Sequence, residues 1–62
     1  MKKVWYIYFE YQNIGQAATK QKAIELLNHH TGVNVLVKEA AYIGKDLIRY
    51  NGYVASLEEI KP

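Results

Sequence analysis

The sequence predicts a single α+β domain over residues 1–62, built from an N-terminal strand, a helix-turn-helix pair and a C-terminal β-hairpin. Three observations carry that prediction. "KKVWYIYFEY" alternates with a period of two. "TKQKAIELLNHHTG" runs from a capping threonine through an apolar stripe to a glycine stop. Asn51-Gly52 stands between two short apolar runs, where a two-residue hairpin turn belongs.

In the first strand, Trp5, Ile7, Phe9 and Tyr11 fall on one face and Val4, Tyr6, Tyr8 and Glu10 on the other. Both faces are largely apolar, which predicts cover on two sides: its own helices on one and a partner chain on the other. Asn13 and Gly15 are turn formers, so "QNIGQAAT" reads as a connection. Thr19 is the expected N-cap of the first helix, whose stripe is Ala23, Ile24, Leu26 and Leu27. Lys20 and Lys22 sit in its first turn, against the helix dipole. The free N–H groups there suit an anion, and two lysines would reinforce a phosphate contact.

"TGVNVLVKEAAYIGK" admits two readings. As a helix over 34–43, Asn34 is the cap, Gly44 the stop, and Leu36, Ala40, Ile43 and Leu47 keep helical spacing. As a strand over 33–38, Val33, Val35 and Val37 alternate with Asn34, Leu36 and Lys38, giving a βαββ domain. The capping order and the small Ala40-Ala41 pair favour the helix. Two β-branched valines in its first turn count against it by a few tenths of a kcal/mol each. Leu47–Tyr50 and Tyr53–Leu57 then flank the Asn51-Gly52 turn.

A chain of 62 residues with no cysteine is stapled by neither a disulfide nor a cysteine-ligated zinc. A core this small supplies only ~3–5 kcal/mol. Good local packing or self-association must supply the rest, and six tyrosines, one tryptophan and one phenylalanine leave the second route open. "VWYIYFEYQ" is too short and polar for a secretory apolar region, and no run nears the ~20 residues of a spanning helix. The expectation is a soluble, cytoplasmic protein. The net charge of +2 is far below the basic face of a strong non-specific nucleic-acid binder.

"TGVN…VKEAAYIG…YNGYVASLEE" resembles the short helix-turn-helix modules common in phage proteins and in DNA-binding domains attached to homing nucleases. Ala23 and Leu26 match the first helix, and Thr31, Gly32, Val33 and Asn34 match the turn. Ala40, Ala41 and Gly44 match the second helix and its stop, and Gly52 and Tyr53 the closing strand. The resemblance implies a small phage-type regulator of transcription.

The residues reveal no enzyme, cofactor or metal site. The carboxylates form no recognisable pair, Ser56 and Thr19 lie in no nucleophile motif, and no glycine-rich phosphate loop is present. Adjacent helical residues point about 100° apart, so His29 and His30 cannot chelate one ion together.

Two functions of different classes remain. In the first, the second helix reads DNA through Asn34, Val35, Lys38 and Tyr42, with Lys20, Lys22, Lys45 and Arg49 on phosphates. One such module contacts few base pairs, so useful specificity requires a homodimer on two half-sites. In the second, the aromatic strand binds a protein through Trp5, Tyr6 and Tyr8, since Tyr and Trp are typical interface anchors. The phage resemblance implies an inhibitor or adaptor of host or defence machinery for that case.

Overall fold

The alternation of "KVWYIYF" produces a central strand, and the rest of the fold is arranged around it. The computed structural model of the protein describes residues 2–60. β1 (Lys3–Phe9) and β2 (Gln12–Ala17) are followed by a single α-helix, α1 (Lys20–Thr31), then β3 (Tyr42–Ile43), β4 (Leu47–Tyr50) and β5 (Tyr53–Glu59). The strands form one antiparallel sheet in the order β2-β1-β5-β4-β3. This corrects the expected fold class. The described residues form a five-stranded sheet with one α-helix, and no helix-turn-helix pair occurs among them.

β2 occupies the stretch whose turn formers suggest a connection. Its residues have little strand preference of their own, but they pair with the apolar β1, from Trp5–Ala17 to Phe9–Gln12. A bulge between Ile7 and Tyr8 absorbs one extra β2 residue. The turn between β1 and β2 is Glu10-Tyr11, at φ 50° and 70°. Left-handed backbone costs a residue with a Cβ roughly 1–2 kcal/mol, so this turn is strained. Replacing it with the preferred pair (Glu10→Asn with Tyr11→Gly) should raise stability by about 1–2 kcal/mol in urea unfolding. The turn of the β4–β5 hairpin has that preferred chemistry already, with Asn51 at φ 46° and Gly52 at φ 86°.

α1 forms where its caps predict. The Thr19 hydroxyl accepts from the Lys22 N–H at 3.2 Å, and Gly32 closes the helix at φ 79° with its N–H on the Asn28 carbonyl. Ala23 and Leu27 are fully buried against Trp5, Ile7, Ala17, Ile48 and Ala55 of the sheet. Those sheet residues share one face, because their cross-strand partners point the same way. Among the described residues no helix is long and apolar enough to cross a membrane.

Residues 33–44 form neither the expected second helix nor the alternative strand over 33–38. Val35–Val37 make a single 3₁₀ turn, and a short connection leads to β3. Two asparagines explain the outcome. Asn28 Oδ1 accepts from the Val35 N–H at 2.9 Å, and Asn34 Oδ1 accepts from the Leu36 N–H at 3.1 Å. Asn34 is therefore a cap, as its position suggests, but of one turn only. Val35 enters the core completely, while Leu36 and Val37 stay 55% and 73% exposed. The helical stripe over Leu36 and Ile43 has nothing to pack against, because the β4–β5 pair already fills the sheet beneath α1.

The path from the 3₁₀ turn to the sheet edge is anchored at Gly44. Its carbonyl accepts from the Lys20 ammonium at 2.7 Å, and its N–H donates to the Leu47 carbonyl at 2.7 Å. Lys20 thus ties the start of α1 to the β3–β4 corner.

Candidate functional site

With α1 on one face, the sheet presents its other face to the outside. Cross-strand pairing defines that face row by row. Tyr8 lies beside Val54, Val54 beside Arg49, and Arg49 beside Tyr42. One row away, Tyr6 lies beside Ser56 and Ser56 beside Leu47. Tyr6 and Val4 are buried, at 5% and 8% exposure, so the accessible part is the end near the two hairpin turns.

At that end a shallow groove of about 890 Å³ is lined by Tyr8, Glu10, Tyr11, Arg49, Gly52 and Val54. A second hollow of about 390 Å³ adjoins it and shares Arg49, Gly52 and Val54. Tyr42 stands at its far side, while the Tyr50 and Tyr53 rings pack against the core on the α1 face. The Arg49 guanidinium stands over the Tyr42 ring, 5.8 Å from its centroid, an arrangement that holds the cation in place. Tyr8 donates to the Glu58 carboxylate at 3.2 Å, which fixes its ring on the floor. Tyr11 is 103% exposed on the strained turn. Strained backbone gathers at functional sites, and a bulky aromatic kept in full solvent calls for a reason.

Gly44 helps to set this geometry. A Cβ there would lie 2.8 Å from the Tyr42 ring and 3.0 Å from the Leu47 carbonyl oxygen. The Tyr42 ring folds back over Gly44, and only a residue without a side chain leaves room for it.

The sequence-predicted interface residues divide. Trp5 packs under α1 at 3% exposure and Tyr6 is buried on the other face, so both are structural. Tyr8 alone of the three reaches the groove. The predicted DNA contacts do not converge on one element. Val35 is 0% exposed and cannot touch a base. Asn34 is engaged in its capping bond, and Lys20 in its bond to Gly44. Lys22 pairs with Glu25 at 3.8 Å on the outside of α1. Lys38 and Lys45 are exposed in the connections on either side of β3. Tyr42 and Arg49 do come together, on the open face. Glu10, Tyr11 and Val54 are groove residues that the sequence reading did not select.

Both sheet edges are poor docking points. On β2 the bulge distorts the ladder, and the Gly15 N–H is taken by Asn13 Oδ1 at 2.9 Å. β3 is only two residues long. No protein-family model, no curated protein and no solved structure matches this chain.

Proposed function

We propose that this chain is a small, non-catalytic protein-binding module that receives its partner on the open sheet face, in a cytoplasmic setting. The observation that carries the reading is the groove: Tyr8 and Val54 on its floor, Tyr11 at its rim, and Arg49 held on Tyr42. Aromatics and arginine are the side chains that dominate protein interfaces.

Charge weighs against a nucleic-acid platform on the same face. Exposed aromatics on a sheet also stack bases, but phosphates need several cations beside them. Among the described residues Arg49 is the one cation lining the two hollows, and Glu10 lines the first with it. Lys20 and Lys22 lie on α1, Lys38 and Lys45 in connections and Lys3 at the start of β1, and none of them lines the two hollows. Duplex binding through an inserted helix has no second helix to carry it.

The test compares the wild type with Tyr11→Ser/Tyr42→Ser, both at exposed positions. Proteins retained from a cell extract by the wild type alone are purified and titrated against both forms. The expected result is at least a tenfold loss of affinity in the variant, with an unchanged circular dichroism spectrum. Equal affinity for both forms overturns the proposal. So does duplex-DNA binding that weakens steeply between 50 and 200 mM salt and falls in Lys22→Ala and Lys45→Ala.

A further inference from the structure

We infer that the partner received by the open face is a second copy of this chain, related to the first by a two-fold axis lying in the plane of the face. This rests on the protein-binding reading above and names the partner of that face.

Its charges make the face complementary to itself. Glu10 and Arg49 line the same groove, yet neither forms an ion pair among the described residues. Glu10 follows β1, Arg49 lies on β4, and β5 runs between those two strands. The groove thus carries an acid on one side and a base on the other, with Tyr8 and Val54 between them. A two-fold axis in the plane of the face, midway between the two charges, sets each opposite its counterpart on the second copy. Both ion pairs then form across one interface, and Tyr8 and Val54 meet their own copies at its centre.

The same symmetry gives Tyr11 a use. Tyr11 follows Glu10 in the left-handed turn and is fully exposed, while Tyr42 stands beside Arg49. The rotation that sets Glu10 opposite Arg49 of the second copy brings Tyr11 to that guanidinium as well. A guanidinium has two faces, and Tyr42 covers one. Tyr11 of the opposite copy takes the other, so each arginine lies between two rings and beside one carboxylate.

Size sets how strong this association is. A 62-residue chain without cysteine needs support beyond its core, and self-association is one source of it. Pairing edge to edge is disfavoured by the bulge on β2 and the shortness of β3. The open face is five strands wide and at most seven residues long. At ~4.8 Å per strand and ~3.3 Å per residue it offers about 500 Å². Two copies would bury about 1,000 Å² in all, enough for a specific interface but short of the standard ~1,600 Å². The dimer is therefore weak and reversible.

Sedimentation velocity of the whole chain between 5 µM and 1 mM tests this, with circular dichroism to check that each variant folds. The wild type is expected to pass from monomer to dimer over that range. Glu10→Arg and Arg49→Glu should each weaken the dimer at least tenfold, because both sides of the groove then carry one sign. Mixed in equal amounts, these two variants should pair with each other about as well as the wild type pairs with itself. The double variant Glu10→Arg/Arg49→Glu should dimerise alone. A wild type that is monomeric at 1 mM overturns the inference, as does a dimer that survives both single reversals or a mixture that stays monomeric. If the wild type is monomeric while Tyr11→Ser/Tyr42→Ser still loses its captured protein, the occupant is wrong and the docking face stands. If the captured protein also binds both forms equally, the face itself is wrong.

Discussion

Trp5→Ala should leave the chain largely unfolded at 25 °C. Trp5 is 3% exposed and lies between Ala17 on β2 and Leu57 on β5, beneath α1. Truncating a buried tryptophan costs about 3–5 kcal/mol through lost transfer energy and an unfilled cavity. A core of this size supplies only ~3–5 kcal/mol in all. The two magnitudes meet, and no disulfide is present to hold the remainder. Far-UV circular dichroism should show loss of sheet, and Trp5→Phe should recover most of it. The wild type offers its own control, because Trp5 is the only tryptophan and its emission reports unfolding directly. The same substitution also separates folding from binding. Had Trp5 been an interface anchor, Trp5→Ala would abolish a complex and spare the fold. A cooperative melt within a few degrees of the wild type would return Trp5 to that role.

The elements legible in the sequence are those whose signals are local. β1 carries its own alternation, α1 its own caps and stripe, and the Asn51-Gly52 turn its own left-handed pair. β2 was not legible, because "QNIGQA" becomes a strand only by pairing with β1. Its turn gave no warning either, since Glu10-Tyr11 lacks the glycine or asparagine that left-handed backbone favours. That turn also explains why Tyr11 was misplaced. Counting by twos puts it beside Trp5 and Ile7, but the strand ends at Phe9 and the turn delivers Tyr11 to the groove instead.

The site was legible in fragments. Tyr8, Tyr42 and Arg49 were each singled out, the first for a protein interface and the others for DNA, and the sheet joins them on one row. Val54, which stands between Tyr8 and Arg49 in that row, has no sequence signal beyond being apolar in a strand. Only the pairing register β1-β5-β4-β3 reveals the row, and register between distant strands is a tertiary property.

Val35→Asp should unfold the chain or release residues 33–43 from it, and it discriminates between the two accounts of that segment. Had Val35 faced a DNA groove from a second helix, aspartate there would weaken phosphate contacts and leave the fold intact. In the structure Val35 is 0% exposed, and its N–H is bonded to Asn28 Oδ1. An unpaired carboxylate in such a site costs several kcal/mol, and the core cluster around Val35 offers it no counter-charge. Release of the segment would expose the end of α1 and free β3, since the chain reaches the sheet edge only through this turn. Amide exchange should therefore show lost protection at Val35 and at the Ile43 and Ile48 pair, or across the whole sheet if unfolding is global. Val37→Asp, two residues on and 73% exposed, should leave exchange unchanged. Equal tolerance of both substitutions would mean that Val35 is not in the core. The 3₁₀ turn would then no longer account for residues 33–44.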